Sequence, residues 1–219
     1  MLPMRTYSFK ELSHSILAEI ADLRHEPLQP GVWEELARKE IGEQESRAVE
    51  MIVGKLLYYK TQRVNEATIW ARAIYPLLAL AERDNLRAWS LIPLSAQFDD
   101  IELRGEVDGA IAGSIDEEVG LPYLVVVEAK RGIGATDPMA QLLGAMLCAA
   151  RQNQQSGRPA NEIYGCYTVG DVWTFLRGRL DWSGAKPGMS LLSSREYMEK
   201  TEGRAILAIL ESIVAKIDA

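Results

Sequence analysis

Two short stretches of the chain combine residue types able to do chemistry. Asp108 lies in GEVDGA, and twenty residues later Glu128 and Lys130 close the run VVVEAK. Side chains alternate between faces along a strand, so Glu128 and Lys130 continue the face of Leu124 and Val126. A carboxylate and an ammonium group thus emerge side by side where an apolar strand ends. The interval from Asp108 to Glu128 fits one antiparallel hairpin through the SIDEEVG turn, which would set the two carboxylates next to each other. Such a pair raises its own pKa values unless a cation lies between. Mg2+ is a hard ion that takes an octahedron of oxygens and keeps several waters. Asp108, Glu128 and the backbone carbonyl of Ala129 could supply three of those oxygens, with Mn2+ as a substitute ion. The metal would lower the pKa of a bound water and polarise a phosphate. Lys130 would orient or deprotonate that water, or neutralise charge developing on the phosphate.

Other readings compete for the same residues. Asp-Gly between apolar residues signals a hairpin turn, which would make Asp108 a turn residue. Glu-Ala-Lys is good helix sequence, and a surface ion pair is the plain alternative for Glu128 and Lys130. The β-branched run before Glu128 and the glycines after Lys130 favour the end of a strand. Glu106 shares a strand face with Asp108 and is a lesser candidate ligand.

The elements that must position these groups follow from apolar periodicity. Residues 8–24 read as a helix, HEPLQPG breaks it, and residues 31–60 are helical in pattern. The strongest part of that second segment carries a stripe of Ala48, Val49, Ile52, Val53 and Leu56, with Glu45 one turn earlier on the same face. A helix over 65–83 should kink at Pro76. Strands follow at 89–98, with Pro93 forcing an irregularity or an edge position, at 103–112 and at 121–129. The LVVV core of the last is too apolar for a half-exposed strand and predicts burial on both faces. A helix over 138–152, a hairpin of strands 163–169 and 172–179 turning at Gly170-Asp171, and a helix over 195–217 complete the chain. The expected architecture is α/β: a three-layer α/β/α sandwich around a central mixed sheet. A single domain covers 1–219, with a helical extension over 1–40, a core over 41–180 and a C-terminal helix over 190–219.

Composition narrows the function further. The 219 residues carry 24 Lys and Arg against 31 Asp and Glu, a net charge of −7, with 47% hydrophobic residues. So acidic a chain is not built to coat nucleic acid indiscriminately. Between Glu128 and Leu180, however, six Lys and Arg face four Asp and Glu, and Arg131 adjoins the site lysine. His14 and His25 are the only histidines, which argues against Ser–His–Asp hydrolases and His-rich zinc sites. Cys148 and Cys166 form no CxxC pair and read as small core residues. The N-terminus lacks the apolar block of a signal peptide and no stretch is long enough to cross a bilayer. A cytoplasmic protein away from the membrane is the expectation.

VDG, then VVVEAK, with a glutamate-bearing helix before and a glutamine-bearing helix after, resembles the PD-(D/E)XK nuclease superfamily of restriction-endonuclease-like proteins. Val107 stands where the family name has proline. The resemblance spans roughly residues 40–180 and implies an αβββαβ core, Mg2+ and hydrolysis of DNA phosphodiester bonds. It makes Asp108 the first motif acid and Glu128 with Lys130 the E-x-K half. Glu45 becomes a first-helix glutamate reaching the metal, and Gln141 a site glutamine on the following helix. A Mg2+-dependent endonuclease is therefore expected, with DNA as partner and a possible homodimer. An inactive module of the same fold that binds DNA or a partner protein is the alternative, and a hydrolase of small phosphoesters a third.

Overall fold

Leu124, Val125, Val126 and Val127 are all buried, because the strand carrying them lies in the middle of a sheet with a hydrophobic core on each face. The computed structural model describes residues 4–27, 29, 31–130, 138–158 and 161–218. Its elements in chain order are β1 (Arg5–Ser8), α1 (His14–Ile20), β2 (Asp22–His25), α2 (Val32–Ala37), α3 (Glu43–Leu56), α4 (Glu66–Ile69), α5 (Tyr75–Leu80), β3 (Leu86–Phe98), β4 (Ile101–Ile115), β5 (Glu118–Lys130), α6 (Met139–Gln155), β6 (Glu162–Val169), β7 (Val172–Asp181), β8 (Gly188–Met198) and α7 (Glu199–Val214). The eight strands form one mixed sheet in the order β1-β4-β5-β6-β7-β8-β2, with β3 on the outer side of β4. Helices α1 and α6 cover one face through Leu17, Leu142 and Met146. Helices α2 to α5 and α7 cover the other through Trp33, Leu77 and Ile209. The result is the expected α/β sandwich of three layers.

Three antiparallel strands precede α6, which then carries the chain back to lay β6 parallel to β5. The β4–β5 hairpin turns at Asp116 and Glu117, both with positive φ, as a two-residue loop requires for strands of right-handed twist. Asp108 is therefore inside a strand and not in a turn. Pro93 lies in β3, which pairs with β4 alone, so its missing N–H interrupts no second ladder. Pro76 likewise has its expected effect. The helix passes from α4 through a π-helical turn over Trp70–Ile74 before α5 begins, because proline can neither donate to the preceding turn nor fit its carbonyl.

Both ends of the chain depart from the sequence reading. The expected helix over 8–24 shrinks to α1, which starts where the Ser13 hydroxyl accepts the Ile16 N–H at 3.3 Å. Its flanks become β1 and β2, which pair parallel to β4 and β8. The N-terminal residues are thus not a helical extension but supply strands to the sheet. At the other end residues 188–198 form β8 against β7, so the last helix begins at Glu199 and not at Arg195.

Candidate functional site

The β4–β5 ladder ends on the pair Gly109↔Val127, and one further step along that register sets Asp108 opposite Glu128. The geometry agrees: Asp108 Oδ2 accepts the backbone N–H of Ala129 at 2.6 Å. Lys130 Nζ donates to Glu128 Oε1 at 2.6 Å. The Glu128 side chain is only 6% exposed and that of Lys130 16%. The two strand carboxylates and the amine therefore occupy one half-enclosed position at the end of β5.

A gap in the sheet makes room for them. β3 occupies one side of β4 along its length, so β1 and β5 must share the other. They approach from opposite directions: β1 stops at Ser8 opposite Arg104, while the β5 ladder stops at Val127 opposite Gly109. Asp108 stands in the interval. On its other side the β3 ladder steps from Ser90↔Gly109 to Ile92↔Val107, leaving Leu91 and Asp108 outside the paired register. Leu91 has a φ of 54°, an unfavourable conformation for a bulky residue. Facing slips here as well. Val107 and Ala110 both point into the α6-side core, although strict alternation would separate them. Such irregularities re-aim side chains, and this one turns the Asp108 carboxylate toward β5.

Gly109 has its own reason for being glycine. A Cβ there would come within 2.3 Å of the Trp70 ring, which rests on the strand and donates from Nε1 to Ser90 Oγ at 3.1 Å. The helix that holds Trp70 also begins with Glu66, capped by Asn65, whose Oδ1 accepts the Thr68 N–H at 2.9 Å. The 66–80 helix thus forms one wall of the site.

The electrostatics are those of crowded acids. Glu128 is pushed up to about 7, first by burial and then by the charge of Asp108, against the opposing pull of Lys130. Asp108 is also raised, by burial first, despite the Ala129 hydrogen bond and the Lys130 charge; Glu66 and Glu106 add to the rise. Burial alone would lower Lys130, but its hydrogen bond to Glu128 and the charges of Glu128, Asp108 and Glu66 outweigh it and raise the ammonium. Lys130 thus bears on both strand carboxylates.

The sequence-derived candidates divide at this point. Asp108, Glu128 and Lys130 come together. The Ala129 N–H points at Asp108 while the Lys130 carbonyl accepts from Gly170 N at 2.9 Å on the opposite edge of the strand. Since N–H and C=O of one strand residue share a direction, the Ala129 carbonyl faces the β4 side with Asp108. Glu45 does not join them. It lies on α3, where its charge bears on Glu211 of α7. The helical acid whose charge bears on both strand carboxylates is Glu66, and the Asn65-Glu66 start of a helix reads in sequence only as a cap. Glu106 is exposed. Gln141 stands half-buried in the first turn of α6. Arg131 lies outside the described residues. Among the described residues no three His, Cys, Asp or Glu side chains gather closely enough to hold a metal ion.

A second polar cluster adjoins the first through Gly170. Asp171 accepts the Thr61 hydroxyl and lies 3.6 Å from Lys200 Nζ. The fully buried Glu199 accepts Trp173 Nε1 at 2.9 Å. Burial first, then the Asp171 charge, push Glu199 up to about 8.

Comparison with models of known protein families finds no match for this chain, nor does comparison with curated protein sequences. Among the described residues no helix is long and apolar enough to cross a membrane.

Proposed function

We propose that the chain is a metal-dependent nuclease that hydrolyses DNA phosphodiester bonds, with a core of the restriction-endonuclease type. The observation that carries this reading is the convergence of Asp108 and Glu128, with Lys130 beside them, at the end of a buried strand. The order of a helix, three antiparallel strands, a crossover helix and a parallel strand supports it as well.

The donor set fits a divalent cation of the Mg2+ class. Asp108, Glu128 and the Ala129 carbonyl offer hard oxygens, and burial together with repulsion from neighbouring carboxylates disfavours the charged form of both acids, which such an ion would offset. When bound, it would supply a water of lowered pKa and polarise the phosphate. In this reading Asp108 and Glu128 hold the ion. Lys130, released from its hydrogen bond to Glu128, neutralises charge on the phosphate. The Ala129 N–H keeps Asp108 oriented. Plasmid nicking tests the reading. In Mg2+ the protein should nick supercoiled DNA, and Glu128→Ala or Lys130→Ala, confirmed folded by circular dichroism, should each lose at least about 100-fold in rate. Nicking that persists undiminished in both variants would overturn it.

The 2.6 Å closure of Lys130 on Glu128 favours one other reading, a binding module of the same fold in which the lysine stands where a metal ion would. That reading predicts DNA or protein binding without turnover in any divalent metal.

A further inference from the structure

Away from the carboxylates, one surface gathers what an unpaired nucleic-acid strand needs. Residues 51–65 carry Lys55, Lys60 and Arg63 and no acid, in a chain of net charge −7. Arg72 on the following helix joins them. All four are exposed, and among the described residues none is ion-paired. Between α3 and the 66–80 helix runs an open groove of about 850 Å3, floored by Ile52, Leu56 and Pro76 and walled by Lys55, Tyr58 and Arg72. Tyr58 is 92% exposed, with Met51 and Leu57 exposed beside it. Arg72 sits 4.8 Å from the centre of the Tyr59 ring.

The rim of this groove is hydrogen-bonded to the elements that hold the candidate site. Its lip, residues 59–61, is tied to α7 and to the β6–β7 turn: Lys200 Nζ of α7 donates to the Tyr59 carbonyl at 2.9 Å, and the Thr61 hydroxyl donates to Asp171 in the turn. The same turn holds the Lys130 carbonyl through Gly170 N. Five residues beyond Thr61, Glu66 adds its charge to Asp108 and Glu128.

An exposed aromatic ring, Tyr58, with a half-buried one, Tyr59, among cations that have no acid partner among the described residues matches a single strand. Phosphates meet the cations while unpaired bases stack on the rings, whatever their sequence. A duplex offers phosphates but keeps its base faces covered. We infer that the groove is the track by which single-stranded DNA reaches the Asp108–Glu128–Lys130 site. Tyr58 is its stacking platform, and Lys55, Lys60, Arg63 and Arg72 are its phosphate contacts. The direction of the track rests on the nuclease reading.

Binding of a fluorescein-labelled oligothymidylate to the full chain in EDTA, followed by anisotropy, tests the inference apart from cleavage. The single strand should bind more tightly than a duplex of equal length, with affinity falling against salt at a log–log slope of about −2.8 for four contacts. Tyr58→Ala, at a position too exposed to disturb folding, should weaken binding about 5- to 100-fold. The double variant Lys60→Glu/Arg63→Glu should weaken it at least about tenfold and flatten the slope by about 1.4. Wild-type binding in both variants would overturn the inference, as would preference for duplex. So would a chain that ignores DNA but forms a dimer that Tyr58→Ala dissolves, which would assign the groove to a second copy. Strand binding as described in a chain that never cleaves would support the groove and remove the nuclease reading. Cleavage and binding untouched by Tyr58→Ala and by the charge reversal would remove the groove alone.

Discussion

Glu128 and Glu162 are the same residue type on adjacent parallel strands, and their surroundings drive them in opposite directions. Glu162, at the start of β6, takes a hydrogen bond from Tyr164 and has Lys216 at 3.4 Å, with Arg177 and Arg179 each at 3.7 Å. Burial alone would raise its pKa, but the Tyr164 hydrogen bond and the charges of Lys216 and Arg177 hold it below the ordinary value. Glu128, at the end of β5, has Lys130 at 2.6 Å, but burial first and then the charge of Asp108 raise its pKa to about 7. Among the described residues three cations surround Glu162, whereas at Glu128 one lysine faces a second, half-buried carboxylate as well. A structural ion cluster resembles the first. The second is an arrangement that gains from an added cation, which is why the candidate site is drawn there.

The largest effect that would break this contrast concerns pH. Above the ordinary carboxylate range, near 4.5, the unfolded chain gives up the Glu128 proton while the folded chain keeps it. In EDTA, folding stability should therefore fall as pH rises from about 4.5 to 7 and level off above, by about 2–3 kcal/mol for this group. Glu199, raised to about 8, extends the decline to that pH. Urea unfolding of wild type and Glu128→Gln at pH 5 and pH 8 measures it: the variant should lose the Glu128 share of the decline, about 2–3 kcal/mol, and keep the share of Glu199. An equal pH dependence in both proteins would remove the electrostatic contrast. Next in size, Glu162→Gln should cost about 1–3 kcal/mol at neutral pH by leaving its cations without a carboxylate. Gly109→Ala should destabilise by a similar amount, because the new methyl group meets Trp70 and the Trp89 carbonyl, and overpacking at such a site typically costs about 1–3 kcal/mol. Smallest of all, Glu45→Gln should change stability by less than about 0.5 kcal/mol and leave nicking unaltered, whereas Glu66→Gln should lower the Glu128 pKa in a carboxylate-resolved NMR titration.

The residues that were readable in sequence share a local cause. Asp108, Glu128 and Lys130 announce themselves because polarity interrupts a β-branched run, and because the turn between them is short enough to set the register. The buried LVVV strand, the edge position of Pro93 and the break before Pro76 follow in the same way from neighbours in the chain. What escaped depends on distant contacts. RTYS and DLRH, four residues each in β1 and β2, are too short to display a period, and they become strands only because β4 and β8 offer open edges. Glu45 and Glu66 show the same limit. Both are helical glutamates in a first turn, and nothing in the local sequence says that the 66–80 helix, through Trp70 against Gly109, is the one that packs beside Asp108. The irregularity at Leu91 and Asp108, which aims the carboxylate, likewise exists only in the pairing of two strands.

Whether Asp108 and Glu128 share a divalent ion is best asked by calorimetric titration of the metal-free protein with Mn2+ at pH 7.5. The account predicts binding that is lost or severely weakened in both Asp108→Asn and Glu128→Gln and retained in Glu45→Gln. A wild-type protein that binds no Mn2+, or binds it equally well in the two site variants, would contradict it.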